Sequence, residues 1–128
     1  MSDINDKNHK HLENITFLHD CDFLNYIQQE KLTLLLFLSG VHYECRKQIP
    51  LVIDFAQKYG DIYNIAVIDV SRNAFACSAC EIESIPQLVI TRNGIVLGGR
   101  QGGLEDGGEA DLLLRLNTMQ KMNLETVI

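Results

Sequence analysis

Apolar residues recur along this chain in two rhythms, and the changes between them mark its elements. Residues 32–38, LTLLLFL, are apolar at almost every position, as in a strand covered by helices on both faces. Residues 65–70, IAVIDV, repeat that pattern. Between them Cys45, Ile49, Val52, Ile53 and Ala56 fall at spacings of four, three, one and three, which puts them on one face of a helix. Pro50 lies inside that helix and removes a backbone donor, so a kink is expected there, and Gly60 ends it. Upstream, residues 15–18 read as a short strand. Residues 19–30 read as a half-buried helix carrying Cys21, Phe23, Leu24, Tyr26 and Ile27. Downstream, residues 73–81 predict a short helix. Residues 88–90 and 95–97 flank the turn signal Arg92-Asn93-Gly94 and predict a hairpin. Leu112, Leu113, Leu116 and Met119 mark a closing amphipathic helix. The order βαβαβαββα implies an α/β sandwich with a mixed sheet.

Bulk composition narrows the function classes. With 128 residues, 46% of them hydrophobic and 22% charged, the chain holds one core. Residues 1–11 read as a flexible tail, 12–118 as the folded domain and 119–128 as a C-terminal tail. The net charge of −6, with eleven scattered Lys and Arg, argues against nucleic acid as a partner. The apolar run at 32–38 is far short of the roughly 20 residues a membrane span needs, so no membrane partner is expected. The first fourteen residues are polar and carry no secretory signal, which predicts a cytoplasmic protein. There, four cysteines serve as reduced thiols, metal ligands or redox groups rather than structural bridges. The oligomeric state is left open.

Residues 39–50, SGVHYECRKQIP, join the first buried strand to the clearest helix. Together with Pro50, the Ile85-Pro86 pair, the Arg92-Asn93-Gly94 turn and Gly102, all at matching separations, this stretch resembles the thioredoxin family. The resemblance covers roughly residues 11–118, and from Leu34 to Gly103 it runs without insertion or deletion. It implies the thioredoxin fold, a three-layer α/β/α sandwich with a central mixed sheet and a cis-proline at Pro86. It also places His42 where the family has its attacking cysteine. Tyr43 and Glu44 stand in for the family's glycine and proline, and Val41 for its tryptophan. Leu36 and Val67 occupy the positions of a buried aspartate and lysine that assist proton movement.

Dithiol exchange needs one thiolate to attack and a second thiol to resolve the mixed disulfide. An imidazole forms no disulfide and, once protonated, gains nothing from the positive end of a helix. The leading expectation is a redox-impaired protein-binding or assembly-accessory module. Its groove, lined by Val41, Tyr43, Ile85, Pro86 and Gly102, takes an extended polypeptide as an added strand. Family members with degenerate motifs include assembly chaperones, such as the thioredoxin-like accessory proteins of hydrogenase maturation. The alternative is a thiol–disulfide oxidoreductase acting through Cys45, activated by His42, with Cys77 or Cys80 as partner.

Cys77-Ser78-Ala79-Cys80 is a CxxC within a helix, which puts both sulfurs on one face; the competing reading is two small core-facing residues. His42, Cys45, Cys77 and Cys80 together spell a zinc ligand set, HxxC…CxxC. The fold would separate its halves onto opposite faces of the sheet, so no metal and no cofactor is expected. Gly98-Gly99 and Gly102-Gly103 fit a bulged edge strand better than a phosphate loop. Asp69, ending its strand, reads as a solvated carboxylate or cap.

Overall fold

The computed structural model of the chain describes residues 15–104 and 108–126; the tail expected at 1–11 lies outside them. Its centre is the all-apolar run. Strand β2, Thr33–Leu38, is buried at every position. It pairs in parallel with β3, Asn64–Asp69, and antiparallel with β4, Gln87–Arg92. Strand β1, Thr16–Phe17, extends the sheet beyond β3, and β5, Ile95–Gln101, extends it beyond β4. The order is β1-β3-β2-β4-β5, a mixed five-stranded sheet.

Alternation along β2 splits the core in two. Leu34, Leu36 and Leu38 face Val52, Phe55 and Ala56 of helix α3, Gln48–Tyr59, and Leu112 and Leu116 of helix α5, Gly108–Thr126. Leu35 and Phe37 face Phe23 of helix α1, Asp20–Tyr26, with Ile27 just past its end, and Ala76 of helix α4, Ala74–Ala79. Each fully buried Leu or Phe contributes about 1.5–3 kcal/mol, so both layers hold the sheet strongly. The result is the three-layer α/β/α sandwich, with the thioredoxin fold's mixed sheet in the middle.

Three boundaries differ from the sequence reading. The helix expected to kink at Pro50 is two helices: α2, Tyr43–Arg46, and α3, separated by Lys47. Pro50 offers no N–H to the Arg46 carbonyl and its ring crowds that group, so the break falls before the proline. Pro50 itself sits in the first turn of α3, where its missing donor costs little. The helix expected over 73–81 stops at Ala79, because Glu81 takes a left-handed φ of 52°. At the other end, α5 runs through most of the segment read as a C-terminal tail. No glycine or proline follows Gly108, and Gln, Lys, Met, Leu and Glu favour helix.

The hairpin forms as read. Asn93 and Gly94 have φ of 52° and 80°, both in the left-handed region that a tight two-residue turn requires. Their N–H groups donate to the carbonyls of Gln29 and Ile27, at 3.0 and 2.8 Å, tying the turn to the end of α1. A register shift between Ile90 and Thr91 bulges the pair, and β5 continues through Gly98 and Gly99. A side chain at Gly99 would run into the Leu88 carbonyl, so only glycine lets the strands close there.

Candidate functional site

Strand register gathers three loops at one end of the sheet. Phe37 pairs with Gln87, Leu38 with Asp69, and Gln87 with Gln101. The turn after β2, the Ile85-Pro86 loop before β4 and Gly102 after β5 therefore share an edge.

In the first loop, Ser39 is buried while Val41 is 92% exposed. His42, also exposed, is the N-cap of α2; its carbonyl accepts the Arg46 N–H at 3.1 Å, but its side chain makes no capping bond. Tyr43 is exposed beneath the Lys47 ammonium, 4.6 Å from the ring centre, and Lys47 pairs with Glu44 at 3.6 Å. Cys45, one turn on, is 1% exposed and packs with the α3 and α5 core.

Beneath the turn, Leu36 and Val67 are both buried, so no ionisable side chain from those two positions reaches the thiol. A cavity of about 240 Å³ opens beside it, walled by Phe17, Leu38, Cys45, Ile49 and Val67, with Asp69 at its edge. The Asp69 carboxylate accepts the Ser71 hydroxyl at 2.7 Å and the Ser71 N–H at 3.0 Å. Those two bonds favour the charged form and hold its carboxyl below the usual range, making it a turn cap rather than a base.

The second and third loops meet directly. The Ile85-Pro86 peptide is cis, Ile85 is half-buried and Pro86 buried. The Gly102 N–H donates to the Pro86 carbonyl at 2.8 Å, and Gly102 has φ of 82° with open space where a side chain would stand. The five residues expected to line a groove thus lie on these three loops, with Val41 and Tyr43 the exposed pair.

Cys77 and Cys80 lie elsewhere. Both are half-buried free thiols packed against the Phe23 and Phe37 cluster, on the sheet face opposite Cys45. Cys80 is not within a helix as expected but caps the end of α4. Burial, then the neighbouring Cys77, pushes the Cys80 thiol up to about 11, and burial with the charges of Asp20 and Asp69 raises that of Cys77. Neither is poised as a thiolate. The sheet stands between them and Cys45. The zinc set drawn from His42, Cys45, Cys77 and Cys80 is separated in the same way. Among the described residues no three His, Cys, Asp or Glu side chains group to hold a metal.

Two residues that position the site gave no signal in the sequence. Gln48, 1% exposed, accepts the Leu104 N–H through its side-chain oxygen and lies against Gly103, fixing the loop after Gly102 to the start of α3. Phe17 walls the cavity from β1.

Comparison with known proteins agrees with this architecture. The family model described as Thioredoxin matches residues 14–112. A thioredoxin of Alicyclobacillus acidocaldarius is 31% identical over 77 residues, covering 60% of this chain and 73% of that protein. A thioredoxin-like protein of Synechocystis sp. is 27% identical over 86 residues, covering 66% and 79%. The crystal structure of thioredoxin from Trypanosoma brucei brucei superposes with a TM-score of 0.69 at 20% identity, over 84% of this chain and 89% of that one. No helix among the described residues is long and apolar enough to cross a membrane.

Proposed function

The chain belongs to the thioredoxin family, and on that basis we propose that it acts by docking an extended polypeptide rather than by exchanging disulfides. One observation carries the reading. The exposed start of α2 bears an imidazole, while the one thiol of that turn, Cys45, is 1% exposed and has no second cysteine on its side of the sheet among the described residues. What the edge still offers is contact area. Val41 and Tyr43 project from the turn, and the Pro86 loop and Gly102 supply backbone beside them. An extended segment laid along that edge would bury the two side chains and pair with the backbone of the Ile85-Pro86 loop, the mode by which a strand is added to a sheet. An accessory role in assembling another protein is the natural use of such a surface in a family member without its nucleophile.

Two measurements test this. In an insulin-reduction assay with dithiothreitol, the chain gives no turnover above the reagent alone; turnover that Cys45→Ser abolishes would overturn the reading. On an array of extended peptides, the chain retains a subset, and Val41→Asp or Tyr43→Asp weakens that retention about tenfold, equivalent to ~1.4 kcal/mol.

A single-thiol reading has one observation in its favour: Cys45 is among the residues that wall the 240 Å³ cavity. Cys45→Ser in the assay above decides against it when no turnover is lost.

A further inference from the structure

The Cys77 and Cys80 pair takes no part in the docking edge, and its own geometry points to a ligand. Cys77 lies in α4 with its N–H bonded to the Asn73 carbonyl at 3.1 Å. Although α4 ends at Ala79, the Cys80 N–H still reaches the Ala76 carbonyl at 3.1 Å, so the two residues keep helical spacing. Side chains three apart on a helix hold their Cβ atoms about 5–6 Å apart. A disulfide needs about 3.5–4.5 Å, so direct bonding would require the end of α4 to rearrange. An ion seated between two sulfurs spans the wider gap without that movement.

The surroundings favour a cation. Both cysteines are free and pack against the same core cluster, so their sulfurs share one side of α4. Cys77 opens onto a surface cavity of about 660 Å³ whose other walls are Ser78, Glu81, Ile82 and Glu83: two carboxylates and no basic group. The charges of Asp20 and Asp69 also reach Cys77. No third His, Cys, Asp or Glu joins the pair closely enough among the described residues to complete a larger coordination shell. Two thiolate donors and nothing else select a soft ion that accepts two-coordinate geometry.

We propose that Cys77 and Cys80 bind one soft, thiophilic monovalent cation of the copper(I) class between their Sγ atoms. Each thiol releases its proton to water, two sulfur–metal bonds form, and no oxidation state changes. The site stands on the opposite face from the docking edge and is independent of it.

The full chain, reduced and free of oxygen, is titrated with copper(I) held by bicinchoninate, whose visible colour reports the copper not yet transferred. The expected result is withdrawal of about one copper per chain, weakened at least tenfold in Cys77→Ser and in Cys80→Ser and unaltered in Cys21→Ser. Circular dichroism checks that each variant is folded. Where Cys80→Ser fails to fold, Cys77→Ser together with the ultraviolet sulfur-to-copper absorption of the unmodified chain decides. Copper left with the bicinchoninate, equal withdrawal by Cys77→Ser, or loss in Cys21→Ser would each overturn the proposal.

Discussion

The side-chain oxygen of Gln48 accepts the Leu104 N–H at 2.6 Å, a buried bond across 56 residues of chain. It joins the first turn of α3 to the loop that carries Gly102 and Gly103 toward α5. Gln48→Met keeps the length and removes the acceptor, leaving a buried N–H unpaired. That costs about 1–3 kcal/mol, read as a lower urea midpoint with unchanged slope. A midpoint equal to that of the unmodified chain would mean the amide contributes nothing.

Asp20 caps a helix other than its own. Its carboxylate accepts the N–H groups of Phe75 and Ala76 at 3.0 and 2.9 Å, and its own N–H donates to Asn73 Oδ1 at 2.8 Å. Because α4 is only six residues long, it depends on that outside acceptor. Asp20→Ala is expected to cost roughly 1–2 kcal/mol and to speed amide exchange at Phe75 and Ala76 ahead of the rest of the chain. Exchange unchanged at those two amides would show that the cap is dispensable.

Asp69 gives the pH dependence a definite sign. The Ser71 hydroxyl and then the Ser71 N–H lower its folded pKa. A carboxyl depressed in the folded state stabilises above its unfolded pKa, and that contribution disappears as pH falls through the folded value. Ser71→Ala removes the hydroxyl bond and keeps the amide bond, so the Asp69 midpoint, followed by carboxyl NMR, moves upward toward the ordinary value. No movement would place the cause elsewhere.

Thiol labelling orders the cysteines. Cys21 is exposed, Cys77 and Cys80 are half-buried with raised pKa, and Cys45 is nearly sealed. Mass spectrometry after brief alkylation at pH 8 should find Cys21 modified first and Cys45 only once the chain is unfolded. Rapid modification of Cys45 at pH 6 would identify an activated sulfur and restore the enzymatic alternative.

The elements most legible in the sequence were those whose signal is local. The two-sided apolar run of β2 and the Asn93-Gly94 turn each state their conformation within a few residues, and both formed as read. The break at Lys47 was misplaced because proline acts on the carbonyl four residues earlier, not where it stands. The groove residues were named from the resemblance to thioredoxins, and the Cys77 and Cys80 pair from its spacing. The separation of Cys45 from Cys77 and Cys80 onto opposite faces, expected from the fold, is traced in the structure by the alternation of β2 between two cores. Gln48 and Asp20 were missed because their partners lie 53 to 56 residues away, where no periodicity points.

The interruption at Lys47 makes the four-residue α2 a separate cap set on the end of the scaffold, while α3 and α5 carry most of the face that braces the sheet. Replacements in the cap at exposed positions such as 41–44 alter what the molecule presents without disturbing what keeps it upright. A lineage could therefore vary the chemistry of that cap one residue at a time, with the architecture left standing to be put to other ends.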